Sequence, residues 1–378
     1  MEGDTESYER PSLVQRVGFG VFGLSKRLMQ RSALRVCPVD PLPTSSREEE
    51  EEYDDYGFSR SDNLFVDGIS AYENSFSEKR ERRLQRWNEI ELSGVWNTKN
   101  VFFRKVLIRK GIPDHYRAKM WYQMSGADQL AAQIPGLYPR LLQQPLDTEV
   151  ANQIELDIHR TFPTNKHYKR ESVGVTRLRN VLKAFANFVP SAGYCQSFNF
   201  LAAILLMFMG EERTFLTLVQ MVDSRVQGKG MNLLGYYKDG MTALKRDLVV
   251  LEMVLQSRLK RLYAHLKANG VDFTCICAEW FLCLFSISLP ITTVLRVWDA
   301  LLHEGDKILF RVAFALFKVH ENTLLRHNND ILVYCKSMAS GIVQHDELLK
   351  VAFYHLSAFR RSDIQEMRLQ AMDRISNS

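Results

Sequence analysis

The sequence predicts an all-α protein built as a single large multi-helix domain, and three observations carry that expectation. Apolar residues recur every three to four positions along the chain from Ser77 onward, strand-like alternation is scarce, and Pro and Gly residues cut the chain into pieces of ordinary helix length. The chain has 378 residues, 46% of them hydrophobic, with 22 Phe, 14 Tyr and 5 Trp, which is ample for a sizeable core. No internal repeat is visible.

The first 75 residues differ from the rest. An acidic block at 48–52, continued by Asp54 and Asp55, repels itself, and Pro41, Pro43, Ser45 and Ser46 before it read as linker. A disordered, acidic leader is expected over 1–75. Near its start, residues 13–34 mix Val17, Phe19, Phe22, Leu24 and Leu28 with Arg16, Lys26, Arg27 and Arg31, a composition that can lie on a membrane surface. Gly18, Gly20 and Gly23 each disfavour a helix there by ~1 kcal/mol relative to Ala, which favours a disordered tail without membrane contact over a membrane-surface segment. A charged helical lead-in follows over 76–104, with Leu84 and Trp87 on one side. The domain itself is expected over 105–360, with 361–378 as a C-terminal tail. Its helix stops are Gly111-Ile112-Pro113, Pro145, Pro163, Pro190, Gly210, Gly270, Pro290 and Gly305.

Several function classes are disfavoured. The longest purely apolar run, 200–209, is about half of the ~20 residues that cross a bilayer, so no transmembrane helix is expected. Glu2, Asp4 and Glu6 at the start read against a secretory signal. The six cysteines are scattered, most of them in apolar helical patterns, and read as reduced, buried thiols of a cytosolic protein. Cys275, Cys277 and Cys283 lie in an aromatic, apolar segment with Trp280 and Phe281, which reads as core rather than as a zinc site. His265, His303, His320 and His327 show no ligand spacing with them. Cys195 has no basic His near it in sequence and reads as packing. No G-x-x-x-x-G-K-[ST] phosphate loop is present, so the chain is not expected to bind nucleotide itself. The net charge of +5, with both signs mixed along the chain, suits an acidic partner or an anionic surface without requiring either. The basic residues lack the aromatic stripe of a single-strand nucleic-acid binder.

Three places could carry chemistry. In Gly111-Ile112-Pro113 a turn starts a helix, since proline is tolerated where the N–H has no intrahelical partner. Arg117 and Trp121 are four apart and share a face, which reads as a stacked pair holding that helix. The second place is Ile154-Glu155-Leu156-Asp157-Ile158-His159-Arg160, on a helix that Asp147 can cap and that Pro163 soon ends. Val150, Ile154 and Ile158 form its buried stripe. Asp157 and Arg160, three apart, can pair, and on spacing alone this is a structural ion pair. The third is Gly193-Tyr194-Cys195-Gln196, where Pro190 and Gly193 break the chain before a strongly apolar helix. Taken alone, it is a helix start with a polar first turn.

In this order the three resemble the motifs of the TBC domain, the catalytic module of Rab GTPase-activating proteins. Gly-Ile-Pro with Arg117 and Trp121 matches the first, Ile154, Asp157 and Arg160 the second, and Tyr194 with Gln196 the third. The stretch Leu295-Arg296-Val297-Trp298-Asp299, then Glu304-Gly305 and Phe310-Arg311, is similar to the family's later helices. Tyr56-Gly57-Phe58 is similar to a leader found in some members. The resemblance covers roughly residues 108–325 and is greatest to the growth-hormone-regulated type of TBC protein. The chain departs from the pattern at Ser197-Phe198, where the family usually has Gly-Met.

The resemblance implies a GTPase activator with no cofactor of its own, because GTP and Mg²⁺ belong to the partner, a GTP-bound Rab. It implies Arg160 and Gln196 as catalytic fingers supplied in trans, supported by Asp157, Tyr194, Arg117 and Trp121. Chemistry agrees with these residue types. A guanidinium is always charged and its planar fork can hold two phosphate oxygens, while one amide can both accept from water and donate to phosphate. It further implies a role in vesicle trafficking and a cytoplasmic protein that works transiently at endomembranes. Two other readings stand beside this one. The first is a TBC-fold scaffold that binds a GTPase without stimulating it, which would be free to lose Arg160 or Gln196. The second is a helical adaptor unrelated to GTPases, which leaves three ordered motifs as coincidence.

Overall fold

A computed structural model describes residues 53–60, 66–93, 101–228, 230–327, 330–356 and 359–376. The acidic block at 48–52 and the basic-apolar segment at 13–34 lie outside them. Among the described residues every regular element is helical, and β-structure is confined to isolated bridges. The α-helices in order are α1 (Val66–Ser93), α2 (Val101–Lys110), α3 (Asp114–Ser125), α4 (Ala127–Gln133), α5 (Leu137–Gln143) and α6 (Thr148–Ile158). Then come α7 (Val173–Phe188), α8 (Phe198–Leu206), α9 (Glu211–Val222), α10 (Leu234–Tyr237), α11 (Thr242–Arg258), α12 (Lys260–Ala268) and α13 (Phe273–Leu282). The last are α14 (Ile291–Glu304), α15 (Lys307–Val319), α16 (Glu321–Leu324), α17 (Ile331–Ser337), α18 (His345–Tyr354) and α19 (Arg361–Ser376). None of them is long and apolar enough to cross a membrane.

Local chemistry explains the boundaries. Asp147 caps α6 by accepting from Glu149 N and Val150 N at 3.0 and 3.1 Å, and Ser172 caps α7 through Val175 N at 3.3 Å. Pro113 and Pro290 sit extended before α3 and α14. α8 is apolar on nearly every face and every one of its residues is buried, so it must lie inside, and it packs between α7 and α9. That central helix, with α6 against it, is what positions the site.

The structure departs from the sequence reading at both ends. Tyr53–Arg60 forms a folded turn and α1 begins at Val66, so parts of the stretch assigned to the leader pack as structure. The stretch assigned to a C-terminal tail is α19. Arg368 bridges the fully buried Asp247 and the half-buried Asp306, with Nη2 at 2.6 Å from each, while Ile364 and Ala371 are buried. Asp247 lies 121 positions away in sequence, which hid this anchor. Among the described cysteines, Cys277, Cys283 and Cys335 are buried as expected, but Cys275 is exposed and Cys195 half-buried.

Candidate functional site

Arg160 follows the end of α6, two residues past Ile158. Its side chain is 40% exposed, and its guanidinium pairs with Asp157, whose own side chain is 3% exposed. The loop beyond it is tightly held. Thr161 is fully buried, donating from its hydroxyl to Asp157 O at 2.7 Å and accepting from Asn199 Nδ2 at 2.8 Å. Phe162 adopts a left-handed φ of 43°, a conformation that costs a bulky residue about 1–3 kcal/mol and persists only where surroundings impose it. Its ring is clamped edge-on between Phe58 and Phe200, each at 5.3 Å.

Gln196 lies in the turn that feeds α8. Pro190 ends α7, and Gly193 has φ +54°, the left-handed turn conformation that glycine adopts freely. Gln196 is half-buried, and among the described residues none hydrogen-bonds its side-chain amide. Ser197 and Phe198, the departure from the family pattern, are fully buried. The Phe198 ring packs at 4.8 Å from Phe185 and 4.6 Å from Tyr237, so the larger side chain fills an aromatic cage directly beneath the Gln196 turn.

Asp157 joins the two loops. Tyr194 Oη donates to its Oδ2 at 2.7 Å, while Arg160 takes the other oxygen. Burial raises the Asp157 pKa, and the Tyr194 hydrogen bond and the Arg160 charge oppose that rise. Burial and the Asp157 charge push the Tyr194 phenol far up, so it remains a proton donor. Burial likewise lifts Cys195 to about 12, which removes thiolate character and agrees with a packing role.

Arg117 and Trp121 do share a face, with the guanidinium 5.7 Å from the indole centroid, but their common anchor is Asp299 on α14. Oδ1 of that fully buried carboxylate accepts from Arg117 Nε at 3.1 Å and Trp121 Nε1 at 2.9 Å, and Oδ2 accepts from Ile112 N at 2.9 Å. The motif around Arg117 is therefore anchored to α14, and among the described residues no hydrogen bond or ion pair joins it to Arg160 or Gln196. Sequence reasoning matched Asp299 only as part of a later helix. Its role depends on pairings 178 to 187 positions apart, which spacing cannot reveal. Among the described residues no group of His, Cys, Asp and Glu is arranged to hold a metal ion.

The family model described as the Rab-GTPase-TBC domain matches residues 114–325. Growth hormone-regulated TBC protein 1-A of Danio rerio is 32% identical over 308 residues, spanning 80% of this chain and 85% of that protein. Growth hormone-regulated TBC protein 1 of Homo sapiens is 35% identical over 293 residues, spanning 76% of this chain and 84% of that protein. The crystal structure of the Chlamydomonas flagellar RabGAP TBC domain superposes with a TM-score of 0.69 at 28% identity, covering 81% of this chain and all of that one (100%). The chain belongs to the Rab-GTPase-TBC domain family.

Proposed function

We propose that this chain stimulates GTP hydrolysis by a Rab-family GTPase by inserting Arg160 and Gln196 as a pair of fingers. The observation that carries the reading is the shared Asp157 carboxylate, which ties the Arg160 loop to Tyr194, two residues before Gln196. One side chain is thus poised to neutralise charge and a second to position water, and both stand on one braced cluster.

Hydrolysis asks for little covalent chemistry from protein. Water must be aligned on the γ-phosphate, and the charge developing on the phosphate oxygens must be neutralised. Arg160 is partly exposed, so its guanidinium can exchange Asp157 for phosphate oxygens on docking. Its pairing before docking restricts the side chain and lowers the ordering cost. The Gln196 amide offers one acceptor for the attacking water and a donor pair for a phosphate oxygen. The nucleotide and Mg²⁺ are the partner's, so the chain acts as an activator in trans rather than as a stand-alone enzyme. Its substrate is the GTP-bound Rab, and because such GTPases carry lipid anchors the chain works from the cytoplasm, transiently at endomembranes, in vesicle trafficking.

The test is a GTP-hydrolysis screen of the purified chain against a panel of Rabs. At least one should be strongly stimulated, and Arg160→Ala should cut that stimulation by roughly 10³–10⁵-fold. A panel in which several Rabs bind in the GTP state and none is stimulated would favour a scaffold.

A further inference from the structure

The Tyr53–Arg60 turn lies well ahead of the family match at 114–325, yet it grips the loop that carries Arg160. The turn is internally fixed, because Asp54 Oδ1 accepts from Tyr56 N at 2.9 Å and Phe58 N at 2.8 Å. Backbone bonds then staple it to the far side of the loop. Ser59 N donates to Thr164 O at 3.0 Å, and Lys166 N donates to Gly57 O at 2.8 Å. Buried Asn165 adds its Nδ2 to Tyr56 O at 3.0 Å. Gly57 sits at φ +89°, and a Cβ there would come within 2.7 Å of the His167 ring, so no other residue fits without a shift. Phe58 lies against Phe162, the residue in left-handed conformation two positions after Arg160. The opposite end is anchored as well. Tyr56 Oη donates to Asp114 Oδ2 at 3.1 Å, and Asp114 pairs with Arg117, itself held by Asp299.

We propose that the Tyr53–Arg60 turn is a strap that positions the arginine finger, holding the loop after Arg160 against the frame built by Arg117 and Asp299. This rests on the reading of Arg160 as a finger. The strap touches neither Arg160 nor the reacting groups, so Phe58, Gly57 and Tyr56 are positioning residues. A finger must meet phosphate oxygens to within a fraction of an ångström, and Phe162 holds its conformation only while rings on both sides impose it. Removing the outer ring lets the loop relax, and Arg160 leaves its aligned position while the rest of the docking surface stays.

The test is single-turnover hydrolysis on a responsive GTPase, with the full chain varied in concentration. Phe58→Ala should lower the saturating rate by about 10–100-fold, the scale of a small misplacement at a reacting centre, while the half-saturating concentration moves less than about twofold. Phe58→Tyr, which keeps the ring, should restore the rate. Gly57→Val should reproduce the loss, and thermal unfolding of each variant shows whether the domain stays folded. In an Arg160→Ala background, adding Phe58→Ala should cause no further loss, since the strap acts through the finger. A normal saturating rate for folded Phe58→Ala and Gly57→Val would overturn the strap while leaving the finger intact if Arg160→Ala is still impaired. Normal stimulation by Arg160→Ala would overturn the finger reading and the strap with it. A further loss in the double variant would also overturn the strap, because the turn would then act independently of Arg160.

Discussion

Asp157 carries two opposed demands. Its ionised carboxylate is buried, which is unfavourable, and it is offset by the Tyr194 hydroxyl and the Arg160 guanidinium. Because burial raises its folded pKa, ionisation opposes folding at neutral pH; the favourable contribution belongs to the protonated form and is lost as pH rises through the folded pKa. Asp157→Asn removes the charge and keeps an acceptor for Tyr194. Its unfolding midpoint at neutral pH should hold or rise, while stimulated hydrolysis falls roughly 2- to 10-fold, because an unpaired Arg160 must be ordered on docking at a cost of about 0.5–1.5 kcal/mol. Calorimetry and a hydrolysis assay on the same preparation check this. A stable variant with an undiminished rate would show that Asp157 does not preorganise Arg160.

At the scale of elements, α8 is the platform of the glutamine loop. Phe198 occupies the cage of Phe185 and Tyr237 under the turn, so Phe198→Ala should cost about 3–5 kcal/mol in denaturant unfolding and lower the stimulated rate through Gln196. Unchanged stability would mean that the cage is not holding the turn. Helices like α6 were legible in the sequence because Asp147, Pro145 and Pro163 mark ends by local chemistry, and Ile154 and Ile158 mark the buried face. The break between α11 and α12 was not, since Leu259 turns the chain with neither Gly nor Pro. The Asp157–Arg160 pair could be foreseen from its spacing. Its bond to Tyr194 could not, because nothing in a linear pattern says that residues 37 apart meet. The strap and the Asp299 anchor were hidden for the same reason.

Across the whole molecule, buried charge networks tie distant helices together. Glu304 at the end of α14 accepts from Arg109 on α2 at 2.5 and 2.8 Å and pairs with Lys105 at 3.2 Å and Lys307 at 2.7 Å. Burial alone would raise its pKa, but the bonds from Arg109 and Lys307 outweigh that and hold it at about 2, down from 4.5. The depressed value means that its stabilising contribution is complete above pH 4.5 and is lost as pH falls toward about 2. Glu304→Gln should therefore lower stability at neutral pH by about 3 kcal/mol, the linkage value of that shift, by leaving three half-buried cations without their carboxylate, and should flatten the acid limb over that window. Denaturant midpoints measured from pH 7 to pH 2 test it, and parallel curves for the two proteins would contradict it.

The proposed role of Arg160 is in the transition state. The direct measurement is the single-turnover rate of GTP hydrolysis by a responsive Rab at saturating Arg160→Lys, compared with the unaltered chain and Arg160→Ala. Lysine keeps the charge but loses the planar fork, so both variants should fall far below the unaltered chain, Arg160→Ala by roughly 10³-fold or more, while both still bind the GTPase. A saturating rate for Arg160→Ala equal to that of the unaltered chain would show that Arg160 does not act in the transition state.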